Sequence, residues 1–500
     1  MSRSVILRGA HVIDPAQDID RIADVIVADG KIAGIGDGGE HADATVVDCT
    51  GAYVTPGWID IHVHAYGRLG FADPDSIGIA QGVTSFVEAG GPGIGTFDEF
   101  LALMTGLETR LYAGIYLRPL GILGLNALEG NVRNLGTIPF RTWLDVMDEH
   151  RDTIRYLKVG AFEKYGSAPV KIGKGLAELL ELPMYVHTGD FTRPEDRDVA
   201  IRAAFDVAGA GDIITHLYHK NFGNVLDDDG RVLQPVWDAA KRGVIFDIGF
   251  GGSNFSWDVA EKSFAQGLYT DIISSDLQQF NVMGPAFSLA NVMSILHHVG
   301  YSIEDTIERV TSRPARALKL DDRAGSLRVG MPADITVFRI EAGEFDLADC
   351  FAERRIVRER FVPIAAYKDG KRFDSDLERC QDERNWFLEI AYDHIPEAVA
   401  TFAPVQLAFL EAYARELAVL DWTVTDVKET DLSKAEALQA ALHRARTPTG
   451  IGLAAALKAV YGCFLDSSFA IQIGIFLIRL ERAFVLERIE TVVANAKVHL

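Results

Sequence analysis

His62, His64, Lys158, His187, His216 and Asp276 are the residues of this chain whose types and order could do metal-assisted chemistry. Imidazoles and carboxylates suit zinc and similar divalent ions, and an open coordination position separates a catalytic centre from a structural one. His62 and His64 end the apolar run Thr55-Pro-Gly-Trp-Ile-Asp-Ile-His-Val-His64. Strand side chains alternate with a period of two, so both rings project from one face and can grip one ion. A lone His-X-His is weak evidence, but the later members repeat the pattern. Met184-Tyr-Val-His187, Ile213-Ile-Thr-His216 and Asp271-Ile-Ile-Ser-Ser-Asp276 each close an apolar segment on a ligating residue. Together the residue types read as the ligand set of a two-metal hydrolase.

Lys158 sits inside the apolar run Tyr156-Leu-Lys-Val159. An ammonium cannot ligate, yet desolvation lowers a lysine's pKa and leaves a nucleophilic amine. Such an amine can take up carbon dioxide and become a carbamate, whose two oxygens would bridge two cations. A lysine taken alone would be read as snorkelling or ion-paired. Its place between the two histidine groups favours the bridge. Asp276, by residue type alone, could equally cap a loop.

These groups need elements that bring distant segments to one place. From residue 55 to 320 apolar strand runs alternate with helical stretches, the arrangement of parallel strands with covering helices. The expected fold is a (β/α)8 barrel, in which functional groups collect at the carboxyl ends of the strands. Residues 1–54 and 321–375 instead carry short β runs, among them a hairpin signal at Asp29-Gly30, and suggest one composite β domain drawn from both flanks. Ser302 with Asp305 forms a capping-box pattern ahead of a helix. Residues 376–500 read as an added helical domain of open function, with helices expected over 431–442 and 476–490. The apolar stretch 459–480 reads as a buried helix or a subunit interface rather than a membrane span, because Asp466, Ser467, Ser468 and Gln472 interrupt it. It makes a homo-oligomer the expected assembly.

The chain has 500 residues, 48% of them hydrophobic, enough to bury a large core in more than one domain. A formal net charge of -22 argues against nucleic acid and anionic membranes as partners and leaves a small-molecule substrate. Cys49, Cys350, Cys380 and Cys463 have no metal or redox spacing and read as reduced thiols of a cytoplasmic protein.

Several segments resemble the amidohydrolase superfamily, in the branch of dihydroorotases, hydantoinases and related deacetylases. They are Pro56-Gly-Trp-Ile-Asp-Ile-His-Val-His64, Gly82-Val-Thr-Ser-Phe-Val-Glu-Ala-Gly90, Thr215-His216, Ser274-Ser-Asp276, Thr311-Ser-Arg-Pro-Ala-Arg-Ala-Leu-Lys-Leu320 and Gly325-Ser-Leu-Arg-Val-Gly-Met-Pro-Ala-Asp-Ile335. The resemblance spans about the first three quarters of the chain. It implies one metal on His62, His64 and Asp276, a second on His187 and His216, and a carboxylated Lys158 bridging them, with zinc the expected metal. A hydroxide bound at that centre would attack an amide carbonyl, cyclic or N-acyl, or a related ester, with Asp276 as general base. A mononuclear deaminase of an aminated heterocycle is the alternative, and a non-catalytic scaffold of the same fold a further one. Lys158 discriminates between the two enzymes, since such deaminases usually lack it.

Substrate contacts are expected from Arg68, Arg118, Tyr218, His219, Asn254 and Gln278 by position. The pattern departs from dihydroorotases at Tyr66, where they usually carry an arginine, and from the deacetylases at Gln278, where a histidine is common. Gly249-Phe-Gly-Gly-Ser-Asn-Phe-Ser256 could present backbone amides to an anion or be a plain connection. His297 and His298 lie on a helical stretch and are assigned no ligand role.

Overall fold

The computed structural model describes residues 4–39, 44–66, 69–118, 121–124, 140–162, 165–189, 199–279, 281–381, 390–422, 432–465, 473–478 and 480–499. They fall into two compact units, one of Met1–Asp190, Pro194–Gln278 and Pro285–Cys380, the other chiefly Gln381–Leu500.

In the first unit the chain begins with β1 (Ser4–Asp14), β2 (Ile19–Ala28), β3 (Lys31–Gly36), β4 (Ala44–Asp48) and β5 (Tyr53–Pro56). Asp29 and Gly30 link β2 to β3 with positive φ values of 51 and 74, the backbone that a two-residue hairpin turn of the right-handed twist demands. There follow β6 (Trp58–Val63), β7 (Val83–Ala89), β8 (Arg110–Tyr116), β9 (Ile154–Gly160), β10 (Met184–His187), β11 (Ile213–Thr215) and β12 (Ile245–Asp247). The chain then returns to the first sheet through β13 (Ile335–Ala348), β14 (Arg354–Lys368) and β15 (Lys371–Asp374). Its order is β15-β14-β13-β5-β1-β2-β3 with β4 on β1, so the two flanks meet where Ile335 pairs with Pro56 across β13 and β5. Leu7, Val12, Val25, Val54, Ile335 and Ala365 fill its core.

β6 to β12 form the second sheet, in sequential order and parallel throughout. Helices such as Ala168–Leu180, Gln234–Lys241 and Leu289–Val299 return the chain between or after these strands. An eighth regular strand is absent among the described residues. Instead Ile272 bridges Asp247 of β12 and Leu277 bridges Val63 of β6, both in parallel, so 272–277 closes the ring as an irregular strand. The backbone bonds Phe250 N to Ser274 O at 3.2 Å, Asp276 N to His62 O at 2.7 Å and His64 N to Leu277 O at 2.8 Å complete that closure. The (β/α)8 expectation holds in this form. Beneath the strand ends, Ile59, Ile61, Val87, Tyr112, Tyr156, Tyr185, Ile213 and Ile272 pack into a buried plug that makes the barrel interior a core, not a pore. The capping box forms on helix Ile303–Val310: Ser302 Oγ accepts from Asp305 N at 2.9 Å.

The second unit is helical, with Pro404–Ala418, Leu432–Thr449, Leu453–Tyr461, Ile473–Leu477 and Arg482–His499. The single helix expected over 476–490 is two helices. The break has a physical cause at Leu480, whose carbonyl accepts from the Trp422 indole at 3.0 Å, while Arg482 Nε reaches Leu420 O at 2.9 Å. Ala459, Val460, Phe464, Ile473 and Leu477 are buried, and among the described residues no helix is long and apolar enough to cross a membrane.

Candidate metal centre

The strand ends deliver all six ligand candidates to one buried cluster. Lys158 from β9 and His187 from β10 sit two residues beyond Tyr156 and Tyr185, and so share their inward face. His216 follows Thr215 directly, and on an extended strand the two would point apart. His216 adopts φ 71 and Asp276 φ 48, left-handed conformations that turn both side chains into the cluster.

The ligating atoms lie close together. Asp276 Oδ1 lies 3.4 Å from His62 Nε2 and 3.2 Å from His64 Nε2. His216 Nε2 lies 2.8 Å from His187 Nδ1. Lys158 Nζ lies 3.1 Å from His62 Nε2 and 4.3 Å from the centroid of the Tyr185 ring. Candidate ligand atoms of His62, His216 and Asp276 all lie within 4.8 Å of one another.

A surrounding layer fixes which nitrogens face inward. Tyr185 OH lies 2.9 Å from His62 Nδ1 and 2.5 Å from Asp247 Oδ2, so His62 donates to the phenol and the phenol donates to the carboxylate. Asp247 Oδ2 also accepts from Thr215 Oγ1 at 2.7 Å and Ser274 Oγ at 2.8 Å. His216 Nδ1 donates to Gly249 O at 2.6 Å. His64 Nδ1 faces Glu88 Oε1 at 3.4 Å, an ion-pair distance, and Glu88 is itself held by the amides of Ala65, Tyr66 and Gly91. With Nδ1 turned to an acceptor in three rings, their Nε2 lone pairs are left for a cation. Asp60 accepts from the Ser275 amide and hydroxyl and from His62 N, tying β6 to the closing segment.

Burial sets the charge states. Desolvation holds His62, His187 and His216 well below the ordinary imidazole range, with the neighbouring Lys158 adding to it in all three. Desolvation brings Lys158 down to about 7, against the pull of Asp276, Asp247 and Glu88. Burial alone would depress His64, but Asp276 and Glu88 carry it up to about 9. Desolvation pushes Asp60 up to about 7 and raises Asp247.

The donor set fits divalent metals. Neutral imidazoles pointing lone pairs at one another across 2.8 Å need a proton or a cation between them, and His187 Nε2 and Asp247 Oδ1 are buried without hydrogen-bond partners. Among the substrate candidates, Asn254 Nδ2 reaches Asp276 Oδ2 and Gln278 Nε2 reaches Asp276 Oδ1, each at 3.4 Å. His219 packs its ring against Gly189 and is carried down to about 4 by burial. Tyr218 is not in the cluster: its hydroxyl donates to Leu268 O at 2.9 Å and meets Tyr301 OH at 3.2 Å, in the packing between strand ends and helices. Arg68 lies outside the described residues. Arg118 is buried beside Tyr116 and Tyr165. His297 is engaged by Tyr301 O and Glu359, in keeping with no ligand role.

In the glycine-rich loop the amides of Gly249, Phe250 and Gly251 are bonded to Ser274 Oγ, Ser274 O and Ser275 O, and the loop presses on the ligands. A Cβ on Gly249 would come within 2.2 Å of Thr215 Oγ1, and one on Gly251 within 2.5 Å of Asp276 Oδ2. Glu88, Tyr185, Thr215 and Asp247 were not singled out from sequence. Glu88 and Asp247 sit at or near strand ends like the ligands, and Tyr185 sits two residues before His187, so strand-end position and period-two spacing could have found them.

A parallel α/β barrel with a buried imidazole, amine and carboxylate cluster at its strand ends defines a class: barrel proteins with a site for divalent metals. Residues 275–372 match a model of the amidohydrolase family. The chain is 32% identical over 354 residues to deacetylase Atu3266 of Agrobacterium fabrum (strain C58), covering 68% of this chain and 85% of that protein. A solved adenine deaminase superposes with a TM-score of 0.67 at 26% identity, covering 75% of this chain and all of that one. A solved dihydroorotase gives 0.66 at 29% identity, covering 75% and 98%. The chain belongs to the amidohydrolase superfamily, and metal-dependent hydrolysis is the chemistry that family and cluster support together.

Proposed function

We propose that this protein is a binuclear metallohydrolase that cleaves an amide bond, cyclic or N-acyl, or a related ester bond. The observation that carries the reading is Lys158, buried among the five other candidate ligands with its Nζ 3.1 Å from His62 Nε2. His62, His64 and Asp276 would hold one ion, His187 and His216 the other. Divalent ions held there, with zinc suited to the donor set, would supply an acidified water and a polarised carbonyl oxygen.

The remaining work belongs to the chain. Lys158, brought down to about 7 by burial, has a substantial share of neutral amine at neutral pH. Its Nζ can bond the carbon of carbon dioxide and release a proton, giving a carbamate within reach of His62 Nε2 at 3.1 Å. In Asp276, Oδ1 faces the two imidazole Nε2 atoms while Oδ2 turns to Asn254. Asp276 would take the proton of the attacking water and return it to the leaving nitrogen. The deaminase likeness favours a second reading, one metal and release of ammonia from a heterocycle.

Metal counting separates the two. The binuclear reading expects two ions per chain, loading that improves with bicarbonate, and a Lys158→Ala variant that loses much of its metal and turnover. Full metal content and turnover in that variant would overturn the bridge.

A further inference from the structure

Arg118 lies two residues beyond β8, on the face of the barrel that carries the ligand cluster. Tyr116 pairs in register with Lys158, and Leu117 N donates to Lys158 O at 2.9 Å, so the backbone leading to Arg118 is pinned to the proposed bridging residue. The arginine is 3% exposed. Its Nη1 is buried with no hydrogen-bond partner, and among the described residues no carboxylate pairs with it. What it does have is aromatic: its guanidinium carbon sits 5.7 Å from the Tyr116 ring centroid and 5.1 Å from that of Tyr165.

The same wall continues to the ligands. A Cβ on Gly160 would come within 2.3 Å of Phe162 and 2.9 Å of the Tyr116 hydroxyl, so these two rings close over a bare backbone position. Phe162 in turn meets the His187 ring at 5.1 Å between centroids. An aromatic strip thus runs from Arg118 to the ligand cluster. A guanidinium flanked by rings keeps its planar fork fixed, and a fixed fork matches a carboxylate with two parallel bonds. A buried guanidinium nitrogen without a partner is unfavourable, and a ligand that brings an anion to it removes the penalty.

We propose that Arg118 binds a carboxylate on the substrate, so that the amide cleaved is an anionic one: an N-acyl amino acid, or a ring amide bearing a carboxylate. The inference rests on the amide-hydrolase reading for its reaction but not for its binding step. One guanidinium balances one carboxylate charge, and the aromatic strip suits the apolar part of the same molecule.

The test is a panel of N-acetyl amino acids of both hands, each paired with its carboxamide, offered to the metal-loaded protein. Binding is read by calorimetry and turnover by kcat/KM. The wild type should favour the best carboxylate over its carboxamide by on the order of 100-fold in affinity. That ratio should fall to within about threefold in Arg118→Met, and to an intermediate value in Arg118→Lys, which keeps the charge without the fork. Metal content and melting temperature show whether each variant is folded, and the wild-type ratio alone decides if Arg118→Met is not. Absence of any carboxylate preference in the wild type, or its persistence in both variants, overturns the inference. Carboxylate-selective binding without hydrolysis would keep Arg118 as the anion site and refute the hydrolase reading instead.

Discussion

Removing one oxygen atom, in Tyr185→Phe, separates a metal-positioning role from packing. The phenol is buried, and its ring stacks on Tyr156 at 4.4 Å between centroids, a contact that phenylalanine keeps. The hydroxyl makes the shorter of two links from His62 Nδ1 to Asp247 Oδ2, at 2.9 and 2.5 Å. Without it, His62 Nδ1 retains only Thr215 Oγ1 at 3.4 Å, while Asp247 Oδ2 keeps Thr215 and Ser274. One buried donor loses its acceptor, and a carboxylate loses its shortest bond, which together should cost about 1.5–3 kcal/mol of stability. The larger consequence is for the ring's tautomer, because only the longer contacts to Thr215 Oγ1 at 3.4 Å and Asp247 Oδ2 at 4.0 Å then hold the proton on Nδ1 and the lone pair on Nε2. Loss of such an outer partner typically weakens metal affinity by about 10–100-fold. Chelator competition with zinc on wild type and variant reads this directly, and thermal unfolding of the metal-free proteins reads the first term. A variant that is destabilised yet binds zinc as tightly as the wild type would refute the claim that Tyr185 positions His62.

Gly251→Ala places a methyl group 2.5 Å from Asp276 Oδ2 at a backbone φ of 61. It should fold with a modest loss of stability and lose turnover by on the order of 100-fold through a misplaced carboxylate; an unchanged kcat would show that the loop does not hold Asp276. His219 is kept neutral in the fold, its pKa carried by burial from 6.5 down to about 4. Below 6.5 the unfolded chain binds a proton that the folded chain refuses, so this stability is present at neutral pH and lost as pH falls toward 4. The difference at pH 5 is about 2 kcal/mol. His219→Gln should therefore show a shallower fall in melting temperature between pH 7.5 and 5 than the wild type, and identical slopes would count against the reading. His62, His187 and His216 shift in the same sense and should leave the variant with a residual slope.

Much of this arrangement was legible in the sequence because it is periodic. Two-residue spacing put His62 and His64 on one face, the alternation of β and α segments gave the barrel, and Asp29-Gly30 gave its hairpin. What escaped was set by tertiary contact. Asp271 to Asp276 reads as a strand, but its pairing is reduced to bridges at Ile272 and Leu277, because Asp276 must take a left-handed φ to face the histidines. Tyr218 stands by position beside His216 and His219, and only the structure shows its hydroxyl turned to Leu268 and Tyr301. The hub at Asp247 gathers hydroxyls from three different strands or segments, a convergence no local pattern displays. The helical unit was legible as helix and no further; its break before Arg482 depends on the indole of Trp422, 58 residues before Leu480, reaching the Leu480 carbonyl.

The most direct measurement is product analysis on the zinc-loaded protein across cyclic ureides and imides, N-acyl amino acids, acylated hydroxy acids and aminated heterocycles, with Asp276→Asn as the blank. The account predicts a cleaved acyl or ring amide without ammonia from any heterocycle, and turnover lower by about 100-fold or more in the folded Asp276→Asn variant. Ammonia released from a heterocycle, or an amide cleaved as fast by the variant as by the wild type, would contradict it.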